Sequence, residues 1–205
     1  MPWVGEGYAQ TRICLLGINF NKDGGLEAHW RLTRSVIDHL RQGRKEVHGS
    51  RFGQRAGLAA ATVAEALASS GRGAFTPSID CSAAEGWNRC AFLQLVKCAP
   101  SRGKSEPNET MWANCPNLYL TDELRILAPK VLLVFGVGMA DDRLRSLGYV
   151  TRWDRYGGFQ RGSLVINGSA VQVLGLSHPA AWGKVWASSY EALVQSLAEE
   201  PLIVD

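Results

Sequence analysis

Two polar motifs at opposite ends of the chain carry side chains that could contact and transform a ligand. Residues 17–21 (Gly-Ile-Asn-Phe-Asn) and 177–179 (Ser-His-Pro) each follow a short apolar run typical of a buried strand. Polar loops at strand ends are common sites of binding and catalysis. We therefore expect Asn19 and His178 to lie at the same edge of a sheet. An ordinary strand-to-helix turn is the alternative for the loop 17–25, whose glycines do not have the spacing of a phosphate loop.

A third polar side chain, Gln94, lies inside the apolar run 91–97 (Ala-Phe-Leu-Gln-Leu-Val-Lys). A buried amide that lacks a hydrogen-bond partner costs about 1–3 kcal/mol. Gln94 therefore either reads a ligand or bonds to neighbouring backbone.

The apolar pattern predicts the elements that position these residues. Strands are predicted at 12–20, 91–97 and 130–136, and Asn167-Gly168 predicts a hairpin turn between strands 163–166 and 170–176. Helices are predicted at 24–42, 55–68, 109–127, 139–147 and 187–197. This alternation predicts a three-layer αβα sandwich around a mostly parallel, roughly four-stranded sheet, with residues 1–205 forming a single domain.

Composition and charge narrow the class of protein. The chain is 46% hydrophobic and 20% charged, which is typical of a globular domain and gives little support to a disordered or coiled-coil protein. It contains no apolar run long enough to span a bilayer and no secretion signal, so we expect a cytoplasmic protein that does not contact membranes. Net charge of +3 permits nucleic acid as a partner without requiring it. A basic stretch predicts either a phosphate-contacting rim or a solvated face: Arg31, Arg34, Arg41, Arg44, Lys45, Arg51 and Arg55.

Five segments, taken in order, resemble the landmarks of the uracil-DNA glycosylase superfamily. They are Leu-Leu-Gly-Ile-Asn at 15–19, Arg-Phe-Gly-Gln-Arg-Ala-Gly at 51–57, Phe-Leu-Gln-Leu-Val-Lys-Cys-Ala-Pro at 92–100, 127–136, and Leu-Ser-His-Pro-Ala at 176–180. The resemblance covers about residues 12–197. The first motif is most similar to the mismatch-specific branch, and the middle of the chain is similar to the iron–sulfur branch.

The resemblance implies a role for each matching residue in hydrolysis of an N-glycosidic bond. Asn19 matches the residue that positions the attacking water, and His178 matches the residue that stabilises the departing base. Phe52 matches the aromatic that stacks on the flipped base, with a core phenylalanine as the alternative. Substrate contacts are also implied for the first motif: Gly17, Ile18 and Phe20. DNA contacts are implied around the outer motifs: Arg51, Ser177, Pro179, Trp182 and Lys184.

The chain departs from the family pattern at the residues that read the base. Gln94 stands where an asparagine usually reads uracil, so the same amide is carried on a side chain longer by one methylene. Phe20 replaces a proline, and Asn21 replaces a glycine. The resemblance therefore implies a monomeric, monofunctional glycosylase that excises uracil from DNA and accepts other deaminated bases such as hypoxanthine. Trp182 either fills the gap left by the extruded base or packs, with Trp186, at a helix start.

The cysteines leave a metal site as an alternative to a protein without cofactor, which is our expectation. Cys98 and Cys115 have the spacing of the second ligand pair of the iron–sulfur branch, but the first pair is absent from the sequence. Cys81 and Cys90 are substitutes that would complete a set of four thiolates for zinc or a cluster.

The sequence is also compatible with two other functions. A protein that binds or traps uracil-containing DNA on the same fold would use an extra histidine after the first motif, where His29, His39 and His48 lie. A nucleotide-binding α/β protein unrelated to DNA is the other alternative.

Overall fold

A mixed sheet of seven strands forms the middle of the described part of the molecule. The computed structural model describes residues 3–18, 50–69, 75–77, 82–97, 107–136, 144, 152–156, 158–179 and 181–202. The strands run in the order β1-β3-β2-β4-β7-β6-β5 across the sheet. Their bounds are β1 Trp3–Val4, β2 Ile13–Gly17, β3 Cys90–Gln94, β4 Val131–Phe135, β5 Arg152–Tyr156, β6 Phe159–Ile166 and β7 Ser169–Leu176.

The four central strands are parallel, and β2, β3 and β4 are buried along their whole length, as is typical of parallel strands that helices cover on both faces. β3, β2, β4 and β7 pair in that order. The outer pairings, β1 with β3, β6 with β7 and β5 with β6, are antiparallel. The α/β class is therefore confirmed, with a mixed sheet that has more strands than predicted.

Helices cover both faces of the sheet, which confirms the three layers. Their bounds are α1 Tyr8–Thr11, α2 Ser50–Ser69, α3 Ala83–Asn88, α4 Glu109–Cys115, α5 Thr121–Leu127 and α6 Gly183–Glu199. One core cluster packs Ile13 and Leu15 with residues of α2 and α6. The other packs Cys14 and Leu16 with residues of α4 and α5. We call these the α2/α6 face and the α4/α5 face.

The hairpin signal at Asn167-Gly168 is confirmed. Both residues have positive φ, 51° and 79°, as a two-residue turn between twisted strands requires. The joined strands β6 and β7 pair from Gln160↔Gly175 to Ile166↔Ser169. The hairpin thus begins earlier than the predicted 163–166.

The predicted helix 109–127 is present with one irregularity. A π-helical turn, Pro116–Leu120, joins α4 to α5. Proline has no backbone N–H, and its ring crowds the preceding turn. The side-chain amide of Asn117 donates to the carbonyl of Ala113 over 2.7 Å, which provides that carbonyl with a partner. Local widening of the helix therefore accommodates Pro116 without ending it.

Two predicted helices lie wholly or mostly outside the described residues. The predicted helix 24–42 lies outside the described residues, and of 139–147 only Leu144 is described, as a buried helical residue. The predicted helices 55–68 and 187–197 are confirmed and are longer, as α2 and α6. None of the described helices combines the length and apolar character needed to cross a bilayer.

Glycines bring α2 unusually close to α3. A Cβ on Gly86 would lie 1.8 Å from the carbonyl oxygen of Gly57, and one on Gly57 would lie 2.4 Å from that of Ala83. The buried indole Nε1 of Trp87 also donates to the carbonyl of Gly53 over 2.7 Å. Because α3 leads directly into β3, this contact fixes the start of α2 relative to the sheet.

Candidate active site

The carboxyl ends of the four parallel strands form one edge, which brings several of the predicted residues together. Gly17 at the end of β2 pairs with Gln94 at the end of β3, and Phe135 at the end of β4 pairs with Leu176 at the end of β7. Strand spacing places β3 and β7 roughly 14 Å apart along this edge. Ligands of open α/β sheets bind at such an edge.

Gln94 is a buried amide that lies against the Cα of Gly17. Its side chain is only 8% exposed, and a Cβ on Gly17 would lie 2.9 Å from its Oε1. Among the described residues, that Oε1 has no hydrogen-bond partner. An unpaired buried amide oxygen costs free energy. A ligand that donates a hydrogen bond to this oxygen would remove that cost, so the arrangement fits a ligand-binding role for Gln94. Strand alternation from Phe92 puts Gln94 on the α2/α6 face.

Phe52 packs over the same face of the sheet, between Gln94's strand and His178. Its ring centre lies 5.7 Å from that of Phe92, 5.8 Å from that of Phe135 and 5.7 Å from the imidazole of His178. The contacts with the two phenylalanines are edge-to-face, the arrangement that aromatic pairs favour. Phe52 is only partly buried: it packs against the core and also lines the carboxyl edge of the sheet.

His178 is half-buried, and desolvation by burial lowers its pKa below the ordinary value. The imidazole is therefore neutral near pH 7. A neutral imidazole offers one N–H donor and one acceptor. It can donate a hydrogen bond to a developing anion without carrying a formal charge into the resting site.

Gly136 separates His178 from Ile18 at the end of β4. Its φ is +83°, and an added Cβ would lie 2.7 Å from Cδ1 of Ile18 and 3.9 Å from Cδ2 of His178. Glycine is required here both for the backbone conformation and for the space. The Gly136 amide also donates to the carbonyl of Leu176 over 2.9 Å, extending the β4–β7 pairing into the site.

Two helices hold the loop that carries His178. The buried hydroxyl of Ser189, on α6, accepts from the amide of Ser177 over 3.0 Å and donates to the carbonyl of Gly158 over 2.9 Å. Arg55, on α2, donates from Nη1 to the carbonyls of Pro179 over 2.6 Å and Ala181 over 2.9 Å. Arg55 therefore packs against the loop that carries His178. The charge of the basic stretch does not indicate this role, because the two acceptor carbonyls are 124 and 126 residues away in the sequence.

The two tryptophans after the His motif have different environments. Trp182 is 85% exposed, whereas Trp186 is 6% exposed and packs on Phe135 and Tyr190. The alternative in which both tryptophans pack at a helix start is therefore wrong for Trp182. Lys184, on the first turn of α6, is exposed as well.

The family model described as the uracil DNA glycosylase superfamily matches residues 4–200 of the chain. The chain belongs to the uracil-DNA glycosylase superfamily. Most members of this superfamily are DNA glycosylases that hydrolyse N-glycosidic bonds, and as a rule they need no cofactor. None of the curated proteins compared with the chain matches it.

Several residues that the superfamily resemblance singled out lie outside the described part of the chain. They are Asn19, Phe20, Asn21, His29, His39, His48, Cys81 and Cys98. Among the residues described, Gly17, Ile18, Phe52, Gln94 and His178 lie at the edge. Arg51 is exposed at the start of α2, Ser177 is half-buried, and Pro179 is buried.

The described cysteines do not fit the set of four thiolates in which Cys81 and Cys90 would substitute for the missing pair and join Cys98 and Cys115. Cys90 belongs to the core on the α2/α6 face, whereas Cys115 belongs to the core on the α4/α5 face. The sheet therefore separates two members of the proposed set. Burial also raises the pKa of the Cys90 thiol, which opposes thiolate formation. No group of three or more metal-ligating side chains occurs within the described ranges.

Proposed function

We propose that this protein is a monofunctional DNA glycosylase that excises uracil and releases an abasic site. The observation that carries the proposal is the grouping of Phe52, Gln94 and His178 on one face of the sheet at its carboxyl edge. Superfamily membership supports glycosylase-like chemistry. We further propose that residues 1–205 act as one domain and one monomer in the cytoplasm, without a cofactor.

The proposed reaction divides the work between two side chains. Asn19 orients a water molecule for attack on C1′ of the deoxyribose, and an amide suffices because the sugar carries most of the positive charge in the transition state. The C1′–N bond breaks, its electron pair leaves with the base, and the water oxygen bonds to C1′. His178 donates a hydrogen bond to the carbonyl oxygen of the departing base, where negative charge develops. One proton of the water stays on the oxygen as the new C1′ hydroxyl, and the other passes, directly or through solvent, to the departing base.

The proposed base pocket lies between Gln94, Phe52 and the first motif. The base must leave the stack to reach this edge, and Phe52 then provides an aromatic surface for it. Gln94 Oε1, which is unpaired among the described residues, accepts from an N–H of the base edge. Gly17 supports this role, since its missing side chain leaves space beside the amide. Gly17, Ile18 and Phe20 complete the substrate contacts.

Trp182 and Lys184 are the proposed contacts on the DNA side of the His motif. A tryptophan that is 85% exposed suits insertion into the gap that base flipping leaves. Lys184 and Arg51 are exposed cations that can neutralise phosphates. Ser177 and Pro179 flank His178 and shape its loop on the DNA side. Pro179 acts through the conformation of this loop, because its carbonyl already accepts a hydrogen bond from Arg55.

The proposed substrate range is uracil first, with other deaminated bases such as hypoxanthine accepted. A glutamine reaches farther than an asparagine but offers the same donor and acceptor. A larger or differently placed base edge therefore still finds a partner.

A panel of oligonucleotides tests this proposal. Single-stranded and duplex substrates with one uracil, hypoxanthine, thymine or cytosine are incubated with the protein and then cleaved with alkali at abasic sites. We expect cleavage at uracil, weaker cleavage at hypoxanthine and none at the normal bases. Absence of cleavage at uracil overturns the proposal, and a persistent protein–DNA adduct without an abasic product would favour the trapping alternative.

A further inference from the structure

Arg55 connects the two halves of the candidate site. It lies one helical turn after Phe52 on α2, so both side chains leave the same face of that helix. Phe52 contacts the ring of His178, and Arg55 donates to the carbonyls of Pro179 and Ala181 that follow His178. One helix therefore contacts the His178 loop at its imidazole and at its backbone.

The packing around Arg55 makes this link rigid. Its guanidinium lies 5.7 Å from the ring centre of Trp186, which is buried and stacked on Tyr190. A guanidinium over an aromatic face gains cation–π attraction, and its planar group can hold two acceptors at once. Within the loop, the backbone amide of Ala181 donates to the carbonyl of His178 over 2.8 Å and so closes a turn. Arg55 thus fixes the end of a turn whose first residue is His178.

We propose that Arg55 is a positioning residue that holds His178 in its working orientation, and that it is not a phosphate contact. This inference rests on the proposed glycosylase function. Its cation is already engaged with two protein carbonyls and an aromatic ring, so binding a phosphate would require breaking contacts that shape the site. Arg51 lies one turn earlier on α2 and is exposed, so we assign the phosphate contact to Arg51.

The experiment compares Arg55→Met with Arg51→Met and with Arg125→Met, an exposed arginine on α5 that serves as the control. Single-turnover uracil release at saturating DNA and the salt dependence of DNA binding are measured for each. We expect Arg55→Met to lower the rate constant by about 100-fold, because a misplacement of about 1 Å has effects of that order. For Arg55→Met, the slope of the logarithm of the DNA-binding constant against the logarithm of salt concentration should equal that of the wild type. Arg51→Met should reduce the magnitude of this slope by about 0.9, because one phosphate contact is lost.

A second readout does not depend on activity. NMR titration of the His178 imidazole without DNA should show its pKa rising toward the ordinary value of 6.5 in Arg55→Met, because a released loop is better solvated. If the wild type releases no uracil, this titration still tests Arg55 alone. Arg55→Gln is the second variant should Arg55→Met not fold, with the same expectation. Two results for a folded Arg55 variant overturn the inference. One is a pKa of His178 unchanged from the wild type, and the other is a reduced salt dependence of DNA binding together with uracil release at the wild-type rate.

Discussion

The imidazole of His178 lies 5.7 Å from the phenyl ring of Phe52, at a tilt of 43° between the two rings. The two residues belong to motifs at opposite ends of the chain, and the parallel sheet brings them together. Phe52 also rests on Phe92 and Phe135, from two further strands. These four rings come from α2, β3, β4 and the loop after β7. A substitution at any of these positions should therefore alter the packing of the candidate site.

Substitution of Gly136 by alanine should damage both stability and activity. Positive φ at a non-glycine residue costs about 1–3 kcal/mol, and the added Cβ would lie 2.7 Å from Ile18 Cδ1. Gly168→Ala is the matched control, since Gly168 also has positive φ but nothing lies within 4 Å of its added Cβ. Urea unfolding should show a larger loss for Gly136→Ala, and only this variant should slow uracil release. Equal losses in both variants would contradict the close contact.

Substitution of Gln94 by leucine should separate stability from base recognition. Removing an unpaired buried oxygen should raise the free energy of unfolding by about 1 kcal/mol, whereas base selectivity should be lost. Gln160→Leu is the control, because Gln160 is also 8% exposed with an Oε1 unpaired among the described residues, but its register with Gly175 puts it on the other face. It should gain stability and keep the wild-type base preference. An unchanged preference in Gln94→Leu would remove Gln94 from the pocket.

The burial of His178 predicts a specific pH dependence of stability. Its folded pKa is lowered below 6.5, so protons bind more tightly to the unfolded chain. The contribution of His178 is therefore complete above that value and is lost as pH falls through the folded pKa. Urea unfolding from about pH 7.5 to pH 5 should show a shallower decline for His178→Gln than for the wild type. Parallel curves for the two proteins would show that His178 is not desolvated.

Trp182 and Trp186 form a natural pair for distinguishing DNA contact from packing. Trp186→Ala should destabilise the fold by about 3–5 kcal/mol, because the side chain is 6% exposed. Trp182→Ala should change the free energy of unfolding by less than about 0.5 kcal/mol, since its side chain is 85% exposed. It should weaken binding to uracil-containing DNA by roughly tenfold or more through lost stacking. Wild-type affinity in a folded Trp182→Ala would exclude the wedge role.

The central strands and their shared edge are predictable from sequence because burial on both faces leaves continuous apolar runs. The same reasoning finds the hairpin, since Asn167 and Gly168 tolerate the φ values that the turn needs. It misses β1, which has only two residues, and β5, where Arg-Trp-Asp-Arg-Tyr contains no apolar run. Such strands form because a neighbouring edge offers backbone hydrogen bonds, and backbone pairing leaves little trace in composition.

The candidate site residues that local sequence signals single out are polar residues inside a buried strand or directly after one, whereas Phe52 is a candidate through the family resemblance alone. Gln94 stands out because its neighbours are apolar, and the structure leaves its Oε1 unpaired among the described residues. Arg55 and Ser189 could not be found in this way. Their partners are backbone groups far along the chain, so their roles depend on tertiary packing that neither charge nor periodicity encodes.

Single-turnover release of uracil is the measurement that tests the account most directly. The wild type, Asn19→Ala and His178→Ala are mixed in excess with a uracil-containing oligonucleotide, and DNA affinity is measured in parallel. We expect rapid release by the wild type and a rate constant lower by roughly 100- to 1,000-fold in each variant, with affinity little changed, because both groups act mainly in the transition state. Uracil release at the wild-type rate by both variants, or none by the wild type, would contradict it.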